Sequence, residues 1–404
     1  MKKHLYLPFL LYFLLIVGFL NNVDPNGGAL KDFQYHYKLT LLFSENLSET
    51  FFEYDKFSTR HSPVLYIFLS FLYKIGFEEI FIRLIFFHIC LILPLIFYKC
   101  LKIKFSNIKD HNLIIFSLLI LLSPSYWSLS IWPDDRILGL VFFTLSILNF
   151  LKFIEENKLK YVYLCIINYT IAAYLSPNFS IFSVFYFYHF CLKYKFSENI
   201  FKIILLNIIL AFPALFYLFS LDEIFLFQSA VPSNEINASD YYNVSNKILI
   251  IISIIFFHLL PFLFSKSLNI NWFNYKNYLI SFTLLLLLSY FFNYQFEFTG
   301  GGIFYKVSFY LTKNNFIFFG ICLLAIYFII EITKNNKFNF LLILLLIISN
   351  PQYTIYHKYY DPLILIIFPL LFQTNLIEER LFKNKTILIF YFFTSSFLIL
   401  NFLK

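Results

Sequence analysis

Side chains that can carry out acid–base and phosphate chemistry gather in the polar stretch from residue 23 to residue 61. The stretch contains Asp24, Asp32, His36, Arg60 and His61. A carboxylate can take a proton from an incoming hydroxyl group, while cationic side chains hold an anionic phosphate. At a membrane edge, this combination suits a reaction on a lipid phosphate. The alternative, that these charges only keep a surface loop soluble, remains open from composition alone.

Two further groups of charges lie later in the chain. Asp134, Asp135 and Arg136 are consecutive, and they either organise a site or cap the helix that is predicted to begin there. Lys358 lies at the predicted start of another helix, where it either anchors that helix at the interface or binds phosphate. Neither group has the spacing of carboxylates and histidines that a metal site needs, so a divalent metal ion is left open.

The elements that position these residues must be membrane helices. The chain has 404 residues, of which 60% are hydrophobic and only 13% are charged. A soluble domain carries roughly 25% charged residues, and a soluble core of this length cannot absorb so much apolar surface. This composition excludes a soluble enzyme, a disordered protein and a secreted disulfide scaffold. The net charge is +8, but the basic residues occur in short clusters between apolar runs and form no continuous basic surface. They therefore do not indicate nucleic-acid binding.

The charges between the apolar runs predict the orientation. The first run, Leu5 to Leu20, follows two lysines, which predicts a retained anchor with the N-terminus in the cytoplasm. Residues 23–61 then form the first outer loop. Residues 62–76 are short for a span, and if they crossed, the lysines after Tyr98 would fall outside, against the positive-inside rule. We therefore expect residues 62–76 to form a re-entrant or interfacial helix.

From there, lysine-rich and lysine-poor loops alternate along the chain. The alternation predicts about 13 spans by the length that a bilayer requires, with the C-terminus outside. Residues 221–247 and 293–313 are expected to be further outer loops. The fold class predicted is an all-α polytopic integral membrane protein, with residues 1–404 forming a single transmembrane domain.

The order of these motifs resembles the GT-C glycosyltransferases, and most closely the branch of the protein O-mannosyltransferases and the lipid A aminoarabinose transferases (glycosyltransferase 39-like). The resemblance spans most of the chain. Its motifs are Lys31-Asp32-Phe33-Gln34-Tyr35-His36-Tyr37, Thr59-Arg60-His61-Ser62-Pro63-Val64-Leu65-Tyr66, Ser123-Pro124, Trp132-Pro133-Asp134-Asp135-Arg136-Ile137-Leu138 and Tyr356-His357-Lys358-Tyr359-Tyr360-Asp361-Pro362-Leu363.

The resemblance implies transfer of a sugar from a polyprenyl-phosphate donor to a lipid-linked or surface glycan acceptor, on the outer membrane face and with inversion. It implies that Asp32 is the catalytic base, with Asp24 as the rival. The residues implied to bind the donor phosphate are Arg60, His61 and Lys358. Beside what the resemblance implies, we expect His36, Asp134, Asp135 and Arg136 to organise the site. Many relatives have Glu after the catalytic acid, whereas Phe33 follows Asp32 here, which leaves the acceptor class open.

Two other classes stay open. A polysaccharide polymerase or flippase would be equally apolar, but it tends to have Arg-rich outer loops, whereas here the first outer loop dominates. A solute transporter would place ionisable residues at mid-membrane, and only His88 and His258 lie deep in predicted spans. By analogy, we expect a cell-envelope polysaccharide enzyme of the bacterial inner membrane, in contact with membrane lipids and with its site on the periplasmic side.

Overall fold

The computed structural model describes residues 6–57, 62–220, 243–296, 300–334, 336–350, 354–374 and 376–403. Within these residues the backbone forms helices, turns and irregular segments, and the β-bridge between Leu268 and Leu376 is isolated. The predicted all-helical fold is therefore confirmed. The chain divides into two compact units, one of residues 1–225 with 382–404 and the other of residues 226–381.

The first unit contains thirteen of the described α-helices, the last of which, α20 (Asn384–Phe402), comes from the C-terminal end of the chain. Its first twelve are α1 (Tyr6–Leu20), α2 (Ala29–Glu45), α3 (Leu47–Phe52), α4 (Val64–Lys74), α5 (Glu79–Cys90), α6 (Ile92–Lys104), α7 (Asp110–Ser117), α8 (Pro124–Ile131), α9 (Asp135–Glu156), α10 (Leu159–Leu175), α11 (Ser183–Tyr194) and α12 (Glu198–Ser220).

The second unit contains the helices α13 (Val244–Phe264), α14 (Tyr275–Tyr290), α15 (Gly302–Thr312), α16 (Phe316–Thr333), α17 (Lys337–Ile348), α18 (Leu363–Leu371) and α19 (Glu378–Leu381). The last helix of the chain, α20 (Asn384–Phe402), packs in the first unit against residues 118–122. The region predicted as an outer loop at 293–313 thus includes a helix, α15, which begins at the three consecutive glycines. Most of the outer loop predicted at 221–247 lies outside the described residues, and α13 begins within its last part, at Val244.

Six helices of the described chain are long and apolar enough to cross a membrane. They are Glu79–Lys104, Asp135–Glu156, Glu198–Tyr217, Val244–Phe264, Phe316–Thr333 and Asn384–Phe402. Residues Asp110–Leu122 and Pro124–Ile131 would add a seventh span, bent by 67°. The bend falls where the Ser123 hydroxyl accepts the Tyr126 N–H and Pro124 starts the next helix. The finding supports a membrane protein, while the count of 13 spans stays a prediction.

The described part of the predicted outer loop 23–61 contains the helices α2 and α3. α2 buries Phe33, His36, Leu39 and Phe43 on one face, and it packs against α4. The short apolar helix predicted at 62–76 is present as α4, whose 11 residues span about 16 Å, too short for a bilayer of about 30 Å. Its placement at the interface stays a prediction.

Candidate functional site

Asp24 holds the turn that starts α2. Its two carboxylate oxygens accept the backbone N–H groups of Gly27 at 3.1 Å and of Leu30 at 3.2 Å. The turn needs glycine because Gly27 and Gly28 both have positive φ, 70° and 99°. Asp24 therefore acts as a cap for the first N–H groups of α2, which gives it a structural role beside the catalytic one predicted from the sequence.

Asp32 lies in the first turn of α2, where the positive end of the helix dipole favours its negative charge. It is half-buried and comes one helical turn before His36, so the two side chains share one face of the helix. His36 is only 2% exposed, and its ring lies 5.1 Å from the ring of Tyr66 on α4. His36 is thus packed between the two helices, while Asp32 lies at the edge of that contact.

The turn before α2 is bound to α8 by hydrogen bonds. The backbone N–H of Asn26 donates to the Ser128 hydroxyl at 2.9 Å, and its side-chain amide donates to the Ser125 hydroxyl at 3.0 Å. Trp132 follows α8, and its indole N–H donates to the Val23 carbonyl at 3.2 Å. These bonds join residues about one hundred positions apart, and they fix the turn 22–28 relative to the second acidic group.

Trp132 also joins α2 to the acidic group at 134–136. Its ring lies 5.7 Å from the ring of Phe33, the residue after Asp32. Burial raises the pKa of the Tyr37 hydroxyl, and the negative charge of Glu79 raises it further. Phe33 and Tyr37 therefore direct one face of α2 toward Trp132 and the start of α5.

Arg83 on α5 is a buried cation of this region, at 4% exposed. Its guanidinium group donates to the Asn22 side-chain oxygen at 2.8 Å and to the Ile131 carbonyl at 3.2 Å. The same group lies 3.6 Å from the ring centre of Trp132, a stacked cation–π contact. Arg83 therefore ties the turn before α2 to the end of α8.

The second acidic group is buried. Asp134 is 3% exposed, Asp135 is 1% exposed and Arg136 is 9% exposed. Asp134 caps α9, because its carboxylate accepts the backbone N–H of Arg136 at 2.8 Å. Capping thus accounts for Asp134, whereas the burial of Asp135 and Arg136 is more than a cap requires. Buried charges carry a large desolvation cost, which marks this group as a place for a structural or functional role.

These residues form what we name the α2 site, which comprises Asp24, Asp32, His36, Arg83, Trp132 and residues 134–136. The sequence neighbours of these residues are linked through Trp132, which contacts Val23 before α2 and Phe33 beside Asp32, and which stands two residues before Asp134. That these residues form one site stays a prediction. Arg60 and His61, the predicted ligands of the donor phosphate, lie outside the described residues. On each side of them, the Phe57 carbonyl accepts the Tyr35 hydroxyl at 2.7 Å, and Ser62 is buried.

Lys358 lies in the second unit, in a buried segment before α18. Its ammonium group lies 5.6 Å from the ring centre of Tyr356. The neighbouring His357 accepts the backbone N–H of Ile303 at 2.9 Å through Nε2, and its Nδ1 lies 3.4 Å from Nε2 of His258. A neutral His357 that accepts through Nε2 carries its proton on Nδ1, so it donates to His258. His258, one of the two histidines that lie deep in predicted spans, is thus paired with His357.

The glycines at 300–302 hold this segment in place. Gly301 donates its backbone N–H to the Ile355 carbonyl at 2.9 Å, and a side chain at Gly300 would meet that carbonyl oxygen at 2.5 Å. α15 starts directly at these glycines, with Gly301 and Gly302 buried. Within the described residues, the glycines therefore serve close backbone packing.

A metal ion would need several ligands close together. Among the residues that the structure describes, no group of three or more His, Cys, Asp or Glu side chains could hold one.

Arg83 is the site residue that sequence analysis missed. An arginine near the start of an apolar run is read as an interface anchor, and Arg83 comes four residues after Glu79. Its role depends on a contact with the distant Trp-Pro-Asp-Asp motif. A single sequence carries no signal for such a contact.

The described chain is all-helical, and its long apolar helices are consistent with a membrane protein. Comparison of the chain with protein-family models, with curated proteins and with solved structures finds no match.

Proposed function

We propose that the chain is a membrane glycosyltransferase of GT-C type. It moves a sugar from a polyprenyl-phosphate donor to a lipid-linked or surface glycan acceptor at the outer face of a bacterial inner membrane. The observation that carries the proposal is the α2 site. There a half-buried carboxylate, Asp32, lies in the first turn of α2, next in sequence to Phe33, whose ring packs on Trp132. Trp132 in turn stacks with the buried Arg83 and stands two residues before the buried Asp134.

The reaction is a single inverting displacement. The Asp32 carboxylate takes the proton of the acceptor hydroxyl while the acceptor oxygen forms a bond to the anomeric carbon. The bond between that carbon and the phosphate oxygen breaks, and its electron pair leaves with the polyprenyl phosphate. Arg60 and His61 stabilise the negative charge that develops on the phosphate, with Arg60 suited to bidentate binding. The phosphate contact of Lys358 that the resemblance implies stays a prediction.

The contacts of Asp24 support Asp32 as the base over its rival. Both oxygens of Asp24 accept backbone N–H groups, so this carboxylate is engaged in holding the turn before α2. Asp32 lies outside this turn at the edge of the buried face of α2. In the same arrangement His36, Asp134, Asp135 and Arg136 hold the helices around the reacting groups.

The support from the membrane elements is coarser. α4 is too short to span, as a helix lying along the outer interface would be, and six or seven helices can cross the bilayer. In our proposal about 13 helices cross, some through short or broken segments such as α17 and α18, with the N-terminus in the cytoplasm. Fusions of a periplasm-active reporter after residue 30 and after residue 403 test this orientation, since both are expected to be active.

Transfer of labelled sugar from a panel of polyprenyl-phosphate sugars tests the function. Membranes containing the wild-type chain are compared with membranes containing Asp32→Asn, Asp24→Asn or Arg60→Ala. We expect Asp32→Asn to lose a factor of about 100 or more in turnover, because removal of a general base costs about 10²–10⁴-fold. Asp24→Asn is expected to lower the unfolding temperature more than the turnover.

Matched controls come from the exposed residues between α3 and α4. Asp55→Asn and Lys56→Ala remove one charge of each sign outside the α2 site and are expected to keep full turnover. Full turnover in Asp32→Asn would reject Asp32 as the base. If folded wild-type protein transfers sugar from no donor in the panel, the glycosyltransferase proposal is rejected in favour of a polysaccharide polymerase or a transporter.

A further inference from the structure

A polar cavity of about 390 Å³ lies in the second unit, away from the segment that carries His357. It is formed where the C-terminal ends of α13, α16 and α18 meet the N-terminal ends of α14 and α17. The side chains that line it include Asn269, Asn271, Glu331, Lys334, Gln373 and Thr374. Its size falls within the range of small-molecule sites, about 300–1,000 Å³.

One wall of the cavity is fixed by two asparagines, Asn336 just before α17 and Asn339 in its first turn. Asn336 caps that helix by accepting the N–H groups of Phe338 and Asn339, and its amide donates to the Gln373 side-chain oxygen at 2.8 Å. Asn339 accepts the backbone N–H of Gln373 at 2.8 Å and donates to the Gln373 carbonyl at 2.8 Å. These paired bonds hold the segment after α18 rigidly against α17, so the cavity is pre-formed.

The opposite wall is held by an aromatic stack. The Tyr327 hydroxyl donates to the Asn271 carbonyl, and the Tyr327 ring stacks between Trp272 at 5.8 Å and Tyr278 at 4.1 Å. The Asn271 side-chain oxygen accepts the backbone N–H of Phe273 at 3.1 Å. The segment 269–273 is therefore ordered by its own contacts, and Asn271 is among the residues that line the cavity.

The two charges in the lining neutralise each other. One Glu331 oxygen accepts the Asn277 amide, and the other lies 2.8 Å from the Lys334 ammonium group. The Glu331 side chain is 5% exposed and that of Lys334 is 35% exposed. An anion in the cavity would face the Glu331 carboxylate, and a cation would face Lys334, so the lining disfavours both. A neutral polar ligand meets neither penalty.

Hydrogen-bonding groups remain available in this lining. The Thr374 hydroxyl is buried and has no hydrogen-bond partner among the residues that the structure describes. The side-chain nitrogens of Gln373 and Asn271 likewise donate no hydrogen bond within that part of the chain. A buried hydroxyl without a partner is costly, so a ligand or water is expected to bond it.

We infer that this cavity binds a neutral polyhydroxylated ligand the size of a sugar ring, such as a glycoside or a sugar headgroup of a lipid. Each sugar hydroxyl both donates and accepts, which matches amide and hydroxyl groups that do the same. The ligand oxygens accept from Gln373, Asn271 and Lys334, and a ligand hydroxyl bonds Thr374. The site is separate from the α2 site and does not depend on the proposed transfer reaction.

Binding of methyl α-D-glucopyranoside and methyl α-D-mannopyranoside to the full chain in lipid nanodiscs tests this inference. Saturation-transfer difference NMR gives the affinity, and inorganic phosphate serves as the anionic probe. We expect saturable binding of at least one glycoside, weakened about five- to tenfold by Thr374→Val and by Gln373→Ala, since each loses one hydrogen bond to the ligand.

Thr283→Val is the matched control, because Thr283 is exposed on α14 and bonds only its own helix. Asp32→Asn is expected to leave glycoside binding unchanged, which separates this cavity from the α2 site. Glycoside binding that survives both cavity substitutions in folded protein would overturn the assignment. Saturable binding of phosphate without glycoside binding, or binding of neither probe, would also overturn it.

Discussion

Arg83→Lys tests the centre of the α2 site, because the substitution keeps the charge and removes the planar fork. In the structure the guanidinium group donates to Asn22 and to the Ile131 carbonyl while it stacks on Trp132 at 3.6 Å. A lysine ammonium group can reach one of these acceptors, but it cannot stack while it bonds both.

The expected loss follows from these contacts. A hydrogen bond from a charged donor contributes about 1.5–3 kcal/mol, and a desolvated cation–π contact contributes up to about 2 kcal/mol. Losing one such bond and part of the stacking gives a loss of about 3 kcal/mol. For a unit of this size, this corresponds to a fall of about 6–12 °C in the unfolding temperature.

The assay is thermal unfolding of the full chain in detergent, arranged as a double-mutant cycle of Arg83→Lys and Trp132→Phe. We expect the two substitutions to be coupled by about 1 kcal/mol, because each removes part of the same stacked contact. The matched control is Arg380→Lys, since Arg380 is exposed on α19 and should show neither loss nor coupling. An Arg83→Lys protein as stable as the wild type, without coupling to Trp132, would refute the role assigned to Arg83.

Two further predictions concern packing and pH. A methyl group at Gly139 would lie 3.0 Å from the Phe179 ring and 3.3 Å from the Ala172 carbonyl oxygen, so Gly139→Ala is expected to cost about 1–3 kcal/mol in thermal unfolding. At Gly320 nothing lies within 4 Å of an added methyl group, so Gly320→Ala should stabilise the protein by up to about 1 kcal/mol. Equal changes in unfolding temperature for the two glycine substitutions would contradict the close packing at Gly139. Burial lowers the pKa of the Lys306 ammonium group below 10.5 in the folded chain. Between the lowered pKa and pH 10.5, the unfolded chain holds a proton that the folded chain has lost. The free energy of unfolding should therefore rise with pH in this window. Lys306→Met should abolish this rise in unfolding temperature while Lys276→Met should not, and an unchanged rise would show that Lys306 is not its source.

Hydropathy predicted the apolar helices more closely than it predicted their continuity. The first run was expected at Leu5–Leu20 and is helical over Tyr6–Leu20 in the described chain, and residues 62–76 contain α4. The run before Ser123 instead turns into a 3-10 segment at Leu118–Leu122 and then bends at Pro124. Whether an apolar run continues or breaks depends on where its backbone groups find partners, and hydropathy does not contain that information.

The α2 site shows the same limit for polar residues. The sequence predicted the residue types of the site, but it could not predict that Asp135 and Arg136 are buried, nor that Arg83 stacks on a tryptophan 49 positions away. Both facts depend on the packing of α5 against α8 and α9. Because Arg83 bonds the turn that Asp24 caps, a change at either residue should move the other. The roles of Asp24 and Asp32 are therefore best separated by comparing loss of stability with loss of turnover.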